Sequence, residues 1–175
     1  MFVYLGEFFV IILGFDPGLA IVGFGVIKKE GSKFVPVQFG SIQTKPEYET
    51  GVRLKQIFDA AKEIIRKYQP DAVSIEKLFF NRNVTTAMTV GQARGVLILA
   101  AVEESVPIYE YTPLQIKQAL VGYGRAEKRQ IQEMVKMFLN LKEVPRPDDV
   151  ADALAIAVCH GHSSKMNKII KENSR

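Results

Sequence analysis

The chain has 175 residues, 47% of them hydrophobic, which suffices for one domain around a buried core. Against 19 Asp and Glu stand 23 Lys and Arg, and the net charge of +4 suits a nucleic-acid partner without specifying one. The single cysteine, Cys159, excludes an intrachain disulfide and fits a reducing cytoplasm.

Residues 8–15 are apolar enough to resemble the core of a secretory leader. However, Glu7 rather than Lys or Arg precedes them, and no small-residue cleavage site follows. The run is also shorter than the roughly 20 residues needed to span a bilayer, so no membrane association is expected. Residues 1–9 read as an extension, 10–163 as the domain, and the polar, basic stretch 164–175 as a flexible tail.

The first strand is predicted in Ile11-Ile12-Leu13-Gly14-Phe15-Asp16-Pro17-Gly18, where an apolar run ends on a carboxylate and Pro-Gly turns the chain. An ionised carboxylate beside buried apolar residues needs a partner, so Asp16 either caps the turn or holds a cation. Residues 20–27 and 33–44 form the next two strands, and their tight connections make all three antiparallel. Val52, Leu54, Ile57, Phe58, Ala61, Ile64, Ile65 and Tyr68 recur at helical spacing, and Gln69-Pro70-Asp71 ends that helix.

Residues 72–75 form a short apolar strand that delivers Glu76. A long helix at 85–104 carries the small residues Ala87, Gly91, Ala93 and Gly95, which allow close packing. A fifth strand at 107–111 and helices at 113–120, 128–141 and 149–162 follow. Strands separated by helices call for right-handed parallel crossovers. The fold class is therefore α/β: a five-stranded mixed sheet, three antiparallel strands then two parallel, flanked by helices. Sites in open α/β sheets collect at the ends of central strands, where Asp16 and Glu76 meet if their strands are neighbours.

Asp148-Asp149-Val150-Ala151-Asp152 opens the last helix. Acidic residues at a helix start cap amides and favour the dipole, the role assigned to Asp148. Asp152, ahead of the apolar run 153–158, lies on or beside the buried face. Spacing alone allows either Asp148 or Asp149 to act with it. Four gathered carboxylates repel one another unless a hard divalent cation joins them: Mg²⁺, with Mn²⁺ as the alternative. Two such ions about 3.5–4 Å apart support phosphodiester cleavage. No P-loop, Rossmann fingerprint or Ser-His-Asp arrangement competes.

Phe79-Phe80-Asn81-Arg82-Asn83 follows Glu76 directly. Its rings either plug the core or, exposed beside a nuclease site, stack on an unpaired base. Lys117, Arg125, Lys128 and Arg129 form either a solvated face or a set of phosphate contacts, with Arg82 and Arg94 as weaker candidates. Cys159, His160 and His162 lack the spacing and the fourth ligand of a zinc site.

Six motifs in order resemble the RuvC family of Holliday-junction resolvases: Gly14-Phe15-Asp16-Pro17-Gly18, Ser74-Ile75-Glu76-Lys77-Leu78-Phe79, Val90-Gly91-Gln92-Ala93-Arg94-Gly95, Glu110-Tyr111-Thr112-Pro113, Gly122-Tyr123-Gly124-Arg125-Ala126-Glu127-Lys128 and Asp149-Val150-Ala151-Asp152-Ala153-Leu154-Ala155. The resemblance implies a ribonuclease-H-like fold and a homodimer. It also implies Mg²⁺-dependent nicking of two opposed strands of a four-way DNA junction, leaving 5′-phosphate and 3′-hydroxyl ends. Asp16, Glu76, Asp149 and Asp152 fall on the family's catalytic and metal-holding acids, two ions per site, which selects Asp149 over Asp148. Phe79 takes a wedge role, and Lys117 and Lys128 match basic DNA-contacting positions. A branch-migration helicase complex is the implied partner. The rival readings are a ribonuclease-H-like nuclease of another nucleic-acid substrate, and a DNA-binding module, which ought to lack some of the acids. The first hairpin also resembles that of actin-like ATPases and sugar kinases, which use two such domains.

Overall fold

The computed structural model describes residues 9–78 and 84–172, so Phe79, Arg82 and nearly all of the extension at 1–9 lie outside the described residues. The elements are β1 (Phe9–Asp16), β2 (Ile21–Glu30), β3 (Lys33–Gln43), α1 (Thr50–Tyr68), β4 (Ala72–Glu76), α2 (Val84–Glu103), β5 (Ile108–Tyr111), α3 (Pro113–Val121), α4 (Lys128–Phe138) and α5 (Asp148–Glu172). The sheet order is β3-β2-β1-β4-β5. β1 pairs antiparallel with β2 and parallel with β4, β2 pairs antiparallel with β3, and β4 pairs parallel with β5. This is the mixed ribonuclease-H-like sheet expected from the sequence, with β1 at its centre.

Alternation along the strands divides the core in two. Leu13, Phe15, Val22 and Val26 face α1 and α2, packing with Ile57, Ile65 and Leu97. Ile12 and Ile27 face the other way, towards Ile116, Val135, Leu154 and Val158 of α3, α4 and α5.

Glycines decide how closely α5 approaches the sheet. Gly14 and Gly25 face each other across β1 and β2. A Cβ would stand 2.1 Å from the Ala153 carbonyl oxygen at Gly14, 1.9 Å from the Asp149 carbonyl oxygen at Gly23, and 2.5 Å from Leu154 at Gly25. These side-chain-free positions form a trough that takes the first turns of α5 against the backbone of β1 and β2.

The helix termini follow local chemistry. Thr112 and Gln115 close a capping box ahead of α3, with Pro113 in its first turn, and Gly122 ends the helix at φ +83°. Two boundaries differ from the sequence reading. Asn140 takes a left-handed φ of 49°, so α4 ends at Phe138 rather than near 141. α5 runs on to Glu172, whereas polarity alone ends it near 162. Residues 162–172 contain neither Gly nor Pro to interrupt it.

Candidate active site

Parallel register places Phe15 of β1 beside Ile75 of β4, so the residues that follow, Asp16 and Glu76, emerge together at the C-terminal ends of adjacent central strands. Gly23, the strand partner of Asp16, is also where the backbone of Asp149 presses on the sheet. Asp152 follows on α5. Strand ends and helix start thus converge, and the glycine trough is what allows it.

The electrostatics show how tightly these acids are coupled. Burial first, then Asp152, Glu76 and Asp149, pushes the Asp16 carboxyl from 3.8 up to about 8, with Lys128 opposing. Burial and Asp152 raise Glu76, against Lys117. Burial also raises Asp152, although Lys128 counteracts it. Asp148 behaves differently: the Lys128 contact, then Arg146, hold it below the usual carboxylate range. Asp149 is thus among the groups that act on Asp16, while Asp148 is held by Lys128 and Arg146.

Lys128 Nζ lies 2.9 Å from Asp152 Oδ2 and 3.3 Å from Asp148 Oδ2. It is an internal counter-ion at the edge of the acidic cluster. Among the described residues no three potential ligands are drawn into a closed set; Asp152 instead is paired with this lysine. The donors are all carboxylate oxygens, the chemistry that Mg²⁺ or Mn²⁺ takes, and burial together with neighbouring acids raises Asp16, Glu76 and Asp152, the condition that a bound cation relieves.

Two small clefts flank the acids. One of about 290 Å³ is lined by Asp16, Glu76, Lys77 and Val90. The other, about 220 Å³, is lined by Glu76, Lys117, Lys128 and Asp152. Glu76 and Pro113 form the wall between them. A larger groove of about 540 Å³ lies between α3 and α4 and contains none of the four acids. Arg129 lines that groove, so the structure separates it from Lys117 and Lys128; Arg125 is exposed in the loop before α4.

Sequence reasoning missed Lys77, which lines the cleft beside Asp16; its position immediately after Glu76 was the available signal. It left Arg94 among the weaker candidates for a DNA contact, without the partners that the structure gives it. Arg94 Nη2 lies 2.6 Å from Glu110 Oε2, and Nε donates to the Glu76 carbonyl at 3.3 Å. The residues weighed for zinc serve packing. His160 Nδ1 meets the Tyr111 hydroxyl at 2.7 Å, Cys159 is buried, and His162 packs edge-on against Phe34 and Phe138.

The family model described as crossover junction endodeoxyribonuclease RuvC matches residues 12–160. A protein of that name from Brevibacillus brevis is 66% identical over 149 residues, covering 85% of this chain and 90% of its own. One from Alkaliphilus metalliredigens is 58% identical, covering 92% and 98%. Among solved structures, Thermus thermophilus RuvC in complex with Holliday junction substrate aligns with a TM-score of 0.86 and 38% identity, covering 90% of this chain and 96% of that one. Matched along nearly its whole length by sequence and by fold, the chain belongs to the RuvC family of crossover junction endodeoxyribonucleases.

Proposed function

We propose that this protein resolves Holliday junctions by metal-dependent hydrolysis of two opposed strands, leaving 5′-phosphate and 3′-hydroxyl ends. The observation that carries the reading is the acidic cluster at the ends of β1 and β4 and the start of α5, where burial and then the neighbouring acids push Asp16 up to about 8. Asp16, Glu76, Asp149 and Asp152 would hold Mg²⁺, two ions per site, with Mn²⁺ as the alternative. Bound divalent cations supply charge stabilisation on the phosphate and activation of water.

The chain's own residues do the rest. Lys117 and Lys128 border the acids and offer ammonium groups to backbone phosphates. Arg125 and Arg129, farther along, would extend the basic track, as would Arg82. Phe79 would wedge at the crossover.

Two opposed strands need two sites, and a second copy supplies the second. Met88, Gln92, Gly95, Leu99 and Val102 recur every three or four residues on the exposed side of α2, with Met88 62%, Leu99 49% and Val102 59% accessible. Such an apolar seam suits a symmetric helix pair. The cytoplasm is the proposed location and a branch-migration helicase complex the proposed partner, both resting on the family resemblance. Among the described residues no helix is long and apolar enough to cross a membrane.

The test offers the protein, with Mg²⁺, a synthetic four-way junction, a plain duplex and an RNA–DNA hybrid. Paired symmetrical nicks on the junction alone are expected. Preferential cutting of the hybrid or duplex would reject the substrate, and junction binding without cutting would reject the chemistry.

A further inference from the structure

Glu76 sits where β4 loses its support. Its last register pair with β1 is Phe15 with Ile75, so on that side Glu76 has no ladder partner. On the other side it pairs with Tyr111, the last residue of β5, and Lys77 N donates to the Tyr111 carbonyl at 2.8 Å. A strand terminus held on one edge frays, and a carboxylate on it would wander.

Arg94 meets this terminus from α2. Its Nε donates to the Glu76 carbonyl at 3.3 Å, the long end of the hydrogen-bond range, while Nη2 pairs with Glu110 Oε2 at 2.6 Å. The Arg94 side chain is only 18% exposed. Glu110 also neutralises the guanidinium, whose charge would otherwise repel any divalent cation at the neighbouring acids. One turn earlier on α2, Gly91 lies opposite the Leu78 side chain, which an added Cβ there would meet at 3.5 Å.

We infer that Arg94, anchored by Glu110, is a positioning residue that fixes the end of β4 so that Glu76 is held ready for a divalent cation; this rests on reading Glu76 as a metal-holding acid. Only a guanidinium makes both contacts, because its planar fork presents Nε and Nη2 together, whereas lysine has a single nitrogen to offer. The same helix carries the exposed apolar seam on its other side. α2 thus links the proposed dimer face to the proposed metal site.

The experiment compares wild type, Arg94→Lys, Arg94→Gln and Glu76→Gln. Mn²⁺ binding is measured by calorimetry without DNA, junction binding by gel shift without metal, and folding by thermal melting. Outer-shell partners of this kind change metal affinity by about 10–100-fold. Arg94→Lys and Arg94→Gln are therefore expected to need at least about 10-fold more Mn²⁺, with junction affinity within about twofold of wild type. Arg94→Lys keeps the charge, so it decides the matter if Arg94→Gln fails to fold. Wild-type Mn²⁺ affinity in Arg94→Lys, with affinity lost in Glu76→Gln, overturns the role of Arg94 alone. Wild-type affinity in Glu76→Gln overturns the reading of the acid itself.

Discussion

Asp16 ends β1 with a carboxyl that burial and then Asp152, Glu76 and Asp149 raise from 3.8 to about 8. The metal-free folded chain holds this proton more tightly than the unfolded chain. Its stabilising effect is thus complete below about pH 4 and is lost as pH rises towards 8. His160 acts in the opposite sense: burial lowers it from 6.5 to about 4, so it costs stability as pH falls through that range. Above 6.5 the histidine is neutral in both states, and the crowded acids govern. In EDTA the melting temperature should therefore fall between about pH 6.5 and 8.5. Asp16→Asn should remove most of the fall, and added Mg²⁺ should reverse it by favouring the ionised cluster. Differential scanning calorimetry reads all three, and a flat metal-free profile contradicts the coupling of the acids.

Among the elements, α5 has the most demanding placement. Its helical character is legible in the run of small and apolar residues after Asp152, and its first turn in the acidic residues. What the sequence did not disclose is that Gly14, Gly23 and Gly25 form a trough for it, because a close approach between backbones distant in sequence leaves no periodic trace. Gly23→Ala would put a Cβ 1.9 Å from the Asp149 carbonyl oxygen and force the helix away. The expected cost is about 1–3 kcal/mol of stability by urea unfolding, with a proportionally greater loss of junction cutting as Asp149 and Asp152 shift. Gly51→Ala is the control: it lies in α1 with open space around it and should be neutral or slightly stabilising. The strands were legible for the converse reason. Alternation in β1 and β2 and the carboxylates at the ends of β1 and β4 are local signals. The partners of Arg94 were not legible because a charge on a helix does not reveal which carbonyl or carboxylate it will meet after folding.

In the whole molecule, the proposed metal site and the proposed dimer face meet on α2, whose exposed seam includes Leu99. Leu99→Glu places like charges opposite each other in a symmetric helix pair. It should yield a folded monomer by sedimentation velocity, one that nicks single strands without pairing the cuts. A variant that still sediments as a dimer and resolves junctions would move the dimer face elsewhere. The central claim, that a metal-holding carboxylate cluster cuts four-way junctions, meets its most direct test in Asp16→Asn. Wild type and variant are incubated with a four-way junction in Mg²⁺ and in EDTA, and binding and cutting are scored on the same samples. Paired nicks by wild type in Mg²⁺ alone, with undiminished junction binding but no cutting by Asp16→Asn, are the predicted result. Cutting that survives in Asp16→Asn, or in EDTA, would contradict it.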